Sequence, residues 1–160
     1  MSTPGVPTFG QERPAERRRR ERNPVTWIVI GVVVLIVLYS CGQSAYRLYR
    51  IADAGTTRVH QQLNQAQYED IYGDATDAFR SKGSRGESLA FLEKVHQTMG
   101  DAHRAKLRGF NVNRNTSTTM VTLVYATTFD KGDANEQFVW QIQDETAKLY
   151  GYHIDAPQFH

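Results

Sequence analysis

The chain has 160 residues, of which 19 are lysine or arginine and 17 are aspartate or glutamate, so its formal net charge is only +2. A charge this close to zero argues against a basic nucleic-acid-binding domain. The single cysteine, Cys41, has no partner for an intramolecular disulfide. The length allows one compact domain, whose stability must come from packing.

Residues 1–23 are rich in proline, glycine, arginine and glutamate and nearly lack large apolar side chains. Such a composition cannot repay the entropy of ordering, and it predicts a disordered basic tail. The arginines Arg17–Arg20 and Arg22 are either a topology signal, in contact with anionic lipid, or an arm that binds a partner or nucleic acid.

Residues 25–39 carry no charge and follow directly on these arginines. With the small or weakly polar residues up to Ala45, the segment 24–45 reaches the length that spans a bilayer. The positive-inside rule then places the tail in the cytoplasm and everything after about Ser44 across the membrane.

A cleaved lipoprotein signal is the alternative to an anchor, because Leu38–Cys41 resembles a lipobox. Cys41 would then be the lipidated first residue of the mature chain. The long segment before the apolar run and the bulky Tyr39 are atypical of such signals. Either alternative places the domain outside the cytoplasmic membrane.

Three helical patterns follow the apolar run. Residues 46–66 predict a membrane-proximal helix that Gly55–Thr57 bends or breaks. A stripe of apolar residues from Tyr68 to Phe79 predicts a second helix with one buried face. Ser84 and Glu87 fit a capping box for a third helix, which ends at Gly100.

After Gly100 the apolar period changes from 3.6 to 2, which predicts strands. Two alternating segments, 121–129 and 137–142, flank the turn signal Asp130–Asp133 and form an antiparallel hairpin. Flanking strands are predicted at Ala105–Asn113 and Lys148–Ile154. Residues 67–156 therefore predict an α+β domain with a four-stranded antiparallel sheet. About three helices pack on this sheet, and the membrane-proximal helix 46–66 is one of them.

This order of elements resembles small cystatin-like or nuclear-transport-factor-2-like domains of bacterial envelope proteins over roughly 61–154. The resemblance rests on the ending Leu149–Ile154, the stripe Tyr72–Phe79, the segment Glu136–Phe138 and a helix closing at Met99-Gly100. Related domains often carry a tryptophan where this chain has Ala147. The resemblance implies a curved sheet wrapped on helices, in a superfamily of isomerases, dehydratases, ligand carriers and interaction modules.

The candidate site residues are aromatic side chains that either line a pocket for an apolar ligand or form an ordinary core: Tyr72, Phe79, Tyr125, Phe129, Phe138, Trp140 and Tyr152. An isomerase-like or hydratase-like enzyme would need a carboxylate or histidine facing that pocket. The nominees are Asp74, Asp77, His96 and His153. No motif predicts a catalytic residue, a metal site or a cofactor.

The opposite sheet face is predicted to be polar but weakly charged, with Gln137, Gln141 and Gln143 beside Val124 and Val139. It is either solvated surface or a protein-binding face. The leading hypothesis is therefore a membrane-anchored binding or interaction module without chemistry of its own, and the alternative is an enzyme that uses the aromatic cavity. The expected partners are the membrane and another envelope protein or a small apolar ligand, with no nucleic acid.

Overall fold

The computed structural model describes residues 24–159, except for the side chains of Pro24, Ser40 and Cys41. The predicted disordered tail lies outside these residues. The helices and strands are α1 (Pro24–Asn64), α2 (Tyr68–Asp74), α3 (Asp77–Arg80), α4 (Arg85–Met99), β1 (Ala102–Arg114), β2 (Thr119–Phe129), β3 (Gly132–Gln143) and β4 (Thr146–Asp155), followed by a 3-10 turn at Pro157–Phe159.

The chain divides into two compact units, Met1–Leu38 and Tyr39–His160. In the described part of the first unit, every large apolar side chain from Val25 to Leu38 is exposed. Among the described residues, only the helix that carries this stretch is long and apolar enough to cross a membrane. A signal sequence near the N-terminus meets the same criteria of length and apolar composition.

In the second unit, the C-terminal part of α1 packs on the sheet through the buried side chains of Ala52, Val59 and Leu63. The predicted break at Gly55–Thr57 does not occur, because α1 is one continuous helix from Pro24 to Asn64. Gly55 faces Trp140 closely, and the hydroxyl of Thr56 donates to the carbonyl oxygen of Ala52 at 3.3 Å. The small residues therefore mark a close approach between helix and sheet.

The predicted second helix is two short helices. α2 ends at Asp74, and Thr76 caps α3 by accepting a hydrogen bond from the amide of Phe79 at 3.1 Å. The amide of Thr76 donates to the carbonyl oxygen of Leu149 in β4 at 2.9 Å. The chain leaves the helical path here because this bond to the sheet replaces an intrahelical one.

Helix α4 begins and ends where the sequence predicts. Ser84 and Glu87 form the complete capping box, with hydrogen bonds of 3.2 Å and 2.7 Å. Gly100 follows the helix with φ +78°, a conformation that favours glycine. Leu92, Val95 and Met99 of α4 are fully buried.

The four strands form one antiparallel sheet in the order β1-β2-β3-β4. β1 and β4 extend beyond their predicted bounds by up to three residues. The β2–β3 turn lies at Asp130-Lys131 as predicted, and the β3–β4 turn is formed by Asp144 and Glu145 with positive φ. The predicted α+β class with helices packed on an antiparallel sheet is thus confirmed.

One face of the sheet packs against the helices. The buried positions alternate along β2 and β3, and they include Leu123, Tyr125, Phe138 and Trp140. The opposite face carries Val124 and Val139 half-buried and Gln137 exposed, in agreement with the predicted alternation. We call the two faces the inner face and the outer face.

Gly55→Val is expected to lower the free energy of unfolding by about 1–3 kcal/mol. A Cβ at position 55 would lie 3.0 Å from Cη2 of Trp140 and 3.2 Å from Cβ of Ala147. Gly73→Val is the matched control, since a Cβ there meets no atom within 4 Å, and its effect should stay near 0.5 kcal/mol or less. Urea unfolding of the full chain in detergent micelles measures both; equal losses would contradict the close approach of α1.

Candidate functional site

The predicted pocket aromatics pack against one another in the core. Phe138 lies at their centre, with ring centroids 4.8 Å from Tyr152, 6.0 Å from Trp140 and 6.3 Å from Tyr125. Phe129 and Phe79 are buried, and Tyr72 is half-buried against the same cluster. Trp140 borders a cavity of about 10 Å³, which holds a water molecule at most.

Among the predicted aromatics, Tyr125 also lines a groove large enough for a ligand. This groove, of about 480 Å³, lies between α1 and β1. Its helix side includes Tyr49, Asp53 and His60, and its strand side includes Ala105 and Leu107. The lining is therefore mixed, with three apolar residues and His103 of β1 opposite a polar helix side.

Asp53 and Tyr125 form a hydrogen-bonded pair in the groove. The phenol of Tyr125 donates to Oδ1 of Asp53 at 2.6 Å. Burial of Tyr125, followed by its bond to the Asp53 carboxylate, raises the pKa of the phenol far above its usual value. Tyr125 therefore stays protonated at neutral pH and acts as a fixed donor.

A second polar cluster joins His60 in the groove to the sheet beneath. Nε2 of His60 lies 2.8 Å from Oε2 of Glu136, and the phenol of Tyr152 donates to Oε1 of Glu136 at 2.6 Å. Glu136 is fully buried. Burial and then the neighbouring Glu136 raise the pKa of the Tyr152 phenol. The carboxyl group orients the imidazole from behind, in the manner of a base and its positioning group.

The nominated enzyme residues do not reach this groove. Asp77 is 98% exposed and pairs with Arg80, and Asp74 lies 3.7 Å from Arg58 at the surface. His96 is hydrogen-bonded to Tyr68 and Asp101, and His153 is exposed. Asp74, Asp77 and His153 are exposed, and none of the four nominees lines the groove between α1 and β1.

Sequence reasoning missed the residues that do cluster, although Glu136 carries a signal. Glu136 precedes Phe138 and Trp140 at two-residue spacing along β3, so its carboxyl group points to the same, inner face of the sheet. Likewise His60 follows Ala52 and Thr56 at helical spacing, on the stripe that packs against the sheet. Their pairing joins positions 76 residues apart.

The two edges of the sheet differ. The backbone of β4 is covered in part, since Thr76 bonds to the carbonyl oxygen of Leu149 and Nζ of Lys82 donates to that of Tyr150. β1 is exposed along nearly its whole length, on both faces. On the inner face, Leu107 and Phe110 are 36% and 40% exposed. The helices thus leave one edge of the sheet uncovered.

β1 also carries a run of positive charge: Arg104, Lys106, Arg108 and Arg114. The strand contains no acidic residue, and within 24–159 none of these cations forms an ion pair. Arg104, Lys106 and Arg108 border a depression of about 850 Å³, which Asp133 and Asp155 border from β3 and β4. The strand that forms this exposed edge is therefore basic.

Within the described residues, no group of three or more histidine, cysteine, aspartate or glutamate side chains could hold a metal ion. α1 runs through position 41, while the side chain of Cys41, the predicted lipidation site, lies outside the described side chains.

Comparison with protein-family models finds no match, and comparison with curated proteins finds none either. The geometry of the side chains is therefore the basis of the functional argument.

His60→Leu or Glu136→Leu is expected to destabilise the chain by about 2 kcal/mol each, because a buried polar partner is left without its hydrogen bond. The free energy of unfolding of the double variant should fall by less than the sum of the two single losses, with a coupling energy of about 1 kcal/mol. His103→Leu is the control: its ring is 57% exposed and pairs with Asp130 at the surface, so its effect should be about 0.5 kcal/mol. Urea unfolding of the full chain in micelles measures the cycle, and strict additivity would contradict the pairing.

Proposed function

We propose that this chain is a single-pass membrane-tethered module that binds another protein, with its tail in the bacterial cytoplasm and its α+β domain outside the cytoplasmic membrane. The observation that carries the binding function is the uncovered strand β1, which exposes apolar side chains beside an open groove. The resemblance to cystatin-like envelope domains belongs to this proposal, since such domains include interaction modules.

The tether is supported by the exposed apolar side chains of α1 between Val25 and Leu38. A helix of this composition is stable where lipid replaces water around it. The arginines that precede it favour the cytoplasmic side for the tail. A lipoprotein processed at Cys41 is the competing form of attachment.

The anchor predicts that protein extracted from host membranes in detergent keeps its full mass of 18.2 kDa, because no peptidase removes the apolar segment. A lipoprotein would instead lose residues 1–40 and gain a diacylglyceryl group on Cys41. Intact-mass spectrometry distinguishes them. Cys41→Ser is the matched control: it leaves the anchored chain at the membrane and nearly unchanged in mass, whereas it blocks the processing of a lipoprotein.

The case for protein binding rests on what β1 exposes. A solvated edge strand is normally protected by short length, charged side chains, bulges or a covering element, and a long edge with exposed apolar side chains is open to pairing. Here Leu107 and Phe110 lie on the inner face of the sheet but remain exposed, beyond the area that the helices cover. The ring of Tyr49 in α1 contacts the ring of Phe110 edge-on, with centroids 5.9 Å apart. These residues form an apolar strip at the rim of the core that a partner can extend.

A proton-transfer enzyme is the second candidate, and the His60–Glu136 pair favours it. An imidazole held by a buried carboxyl group at the side of a 480 Å³ groove has the arrangement of a general base. A small molecule that co-purifies with the full chain in native mass spectra, and that His60→Gln releases, would favour this candidate over protein binding.

A photo-crosslinking amino acid at position 107 of the full chain, expressed in its own host, tests protein binding. We expect one discrete adduct of higher mass, because this side chain lies at the rim where a partner would pack. The same amino acid at position 94, on the exposed face of α4, is the control and should give no such adduct. Adducts that are identical at both positions, or absent at both, would contradict the proposal.

A further inference from the structure

We propose that β1 accepts, as a fifth strand, an extended segment of another protein in which apolar and acidic residues alternate. This inference rests on the proposed binding function and names the chemistry of the partner. It is carried by three features of one strand. Within residues 24–159, no other strand pairs with its outer edge. Leu107 and Phe110 are exposed on its inner face, and Arg104 and Lys106 on its outer face form no ion pair with a described residue.

The backbone of β1 is available for pairing. The strand is 13 residues long, and β2 pairs with one side of it. On the other side, among the described residues, Asn64 bonds both backbone groups of Ala102 at the start of the strand, and no further bond is made to the backbone of 104–114. An extended segment can therefore add main-chain hydrogen bonds along most of this edge.

The inner face determines one set of side chains on the added strand. Ala105, Leu107 and Phe110 pair opposite Thr127, Tyr125 and Leu123, which are all buried on the inner face. Alternate residues of an added strand would point to this side, next to the exposed Leu107 and Phe110. Apolar residues at those positions would extend the core over the strip.

The outer face determines the other set. Arg104 and Lys106 pair opposite Thr128 and Ala126, so neither has a charged cross-strand neighbour on β2. Arg108 lies at the bulge between Leu107 and Gly109. Asp133 and Asp155 border the far side of the same depression, separated from β1 by the width of β2. Acidic residues on the added strand would therefore lie next to the cations of β1 and away from these carboxylates.

The same charges argue against a second copy of this chain as the occupant. An antiparallel pair of two β1 strands centred near Lys106 would bring Arg104, Lys106 and Arg108 against the same cations, and like charges across a strand pair are destabilising. Basic residues on an edge are also how proteins prevent self-pairing. The charge pattern thus selects an acidic partner of a different sequence.

The test uses the full chain in nanodiscs of zwitterionic lipid and labelled peptides of about eight residues. One peptide alternates valine and glutamate, the second alternates valine and lysine, and the third replaces the valines of the first with serine. Fluorescence anisotropy should show saturable binding of the first peptide and binding at least about tenfold weaker for the other two. Equal binding of the lysine peptide would overturn the proposal, and so would equal binding of the serine peptide.

Two double variants locate the site. Arg104→Glu with Lys106→Glu should lower the affinity for the glutamate peptide by about tenfold or more. Lys94→Glu with Lys148→Glu makes the same change of net charge on α4 and β4, and should change the affinity by about twofold or less. Both doubles alter exposed side chains, and matching thermal midpoints would show that both remain folded. Equal weakening by the two doubles would indicate a general charge effect and overturn the proposal.

Amide hydrogen exchange distinguishes strand addition from charge contact alone. Bound glutamate peptide should slow exchange in 104–113 and leave β4 unchanged, because new main-chain hydrogen bonds form only at the β1 edge. Unchanged exchange in β1 would overturn the added strand. If no peptide binds but position 107 still crosslinks one protein, this inference fails while the proposed function stands; if crosslinking also fails, both fail.

Discussion

The docking of α1 across the inner face of the sheet is the contact on which the domain depends. Gly55 lets the helix backbone approach Trp140 to near van der Waals distance, and Nε1 of Trp140 donates to Oγ1 of Thr56 at 3.2 Å. Since Thr56 itself donates to Ala52, the hydroxyl is satisfied in both roles while only 2% of the residue is exposed. The tryptophan is thereby buried without an unpaired polar atom.

The same docking explains why the two sheet edges differ. α1 crosses β2 and β3, where Tyr125 and Trp140 receive it, and the α2–α3 segment covers part of β4. Within residues 24–159, Tyr49 and Asn64 contact β1, and no helix covers it as α2 and α3 cover β4. With so few helices on one face, the long first strand extends past the area that they shield, and its apolar residues stay at the rim.

The fold class can be predicted from short-range sequence patterns, whereas the residues of the candidate site cannot. The capping box at Ser84 and the period-2 alternation around Phe138 depend on neighbours in sequence, so α4 and the hairpin could be predicted. The roles of Thr56 and Thr76 could not be predicted from sequence, because each bonds to a strand that is distant along the chain. The pairing of His60 with Glu136 and the exposure of β1 depend on where helices lie relative to strands, which periodicity does not encode.

The polar pairs beneath α1 give the docking its register. Asp53, Thr56 and His60 bond to Tyr125, Trp140 and Glu136 respectively. A slide of the helix by one turn, about 5.4 Å, would move Gly55 away from Trp140 and would leave Tyr125 and the indole N–H of Trp140 without these partners. Such unpaired buried groups cost about 1–3 kcal/mol each, so the polar pairs select one position of α1. That position opens the groove beside β1 and holds the imidazole of His60 within it.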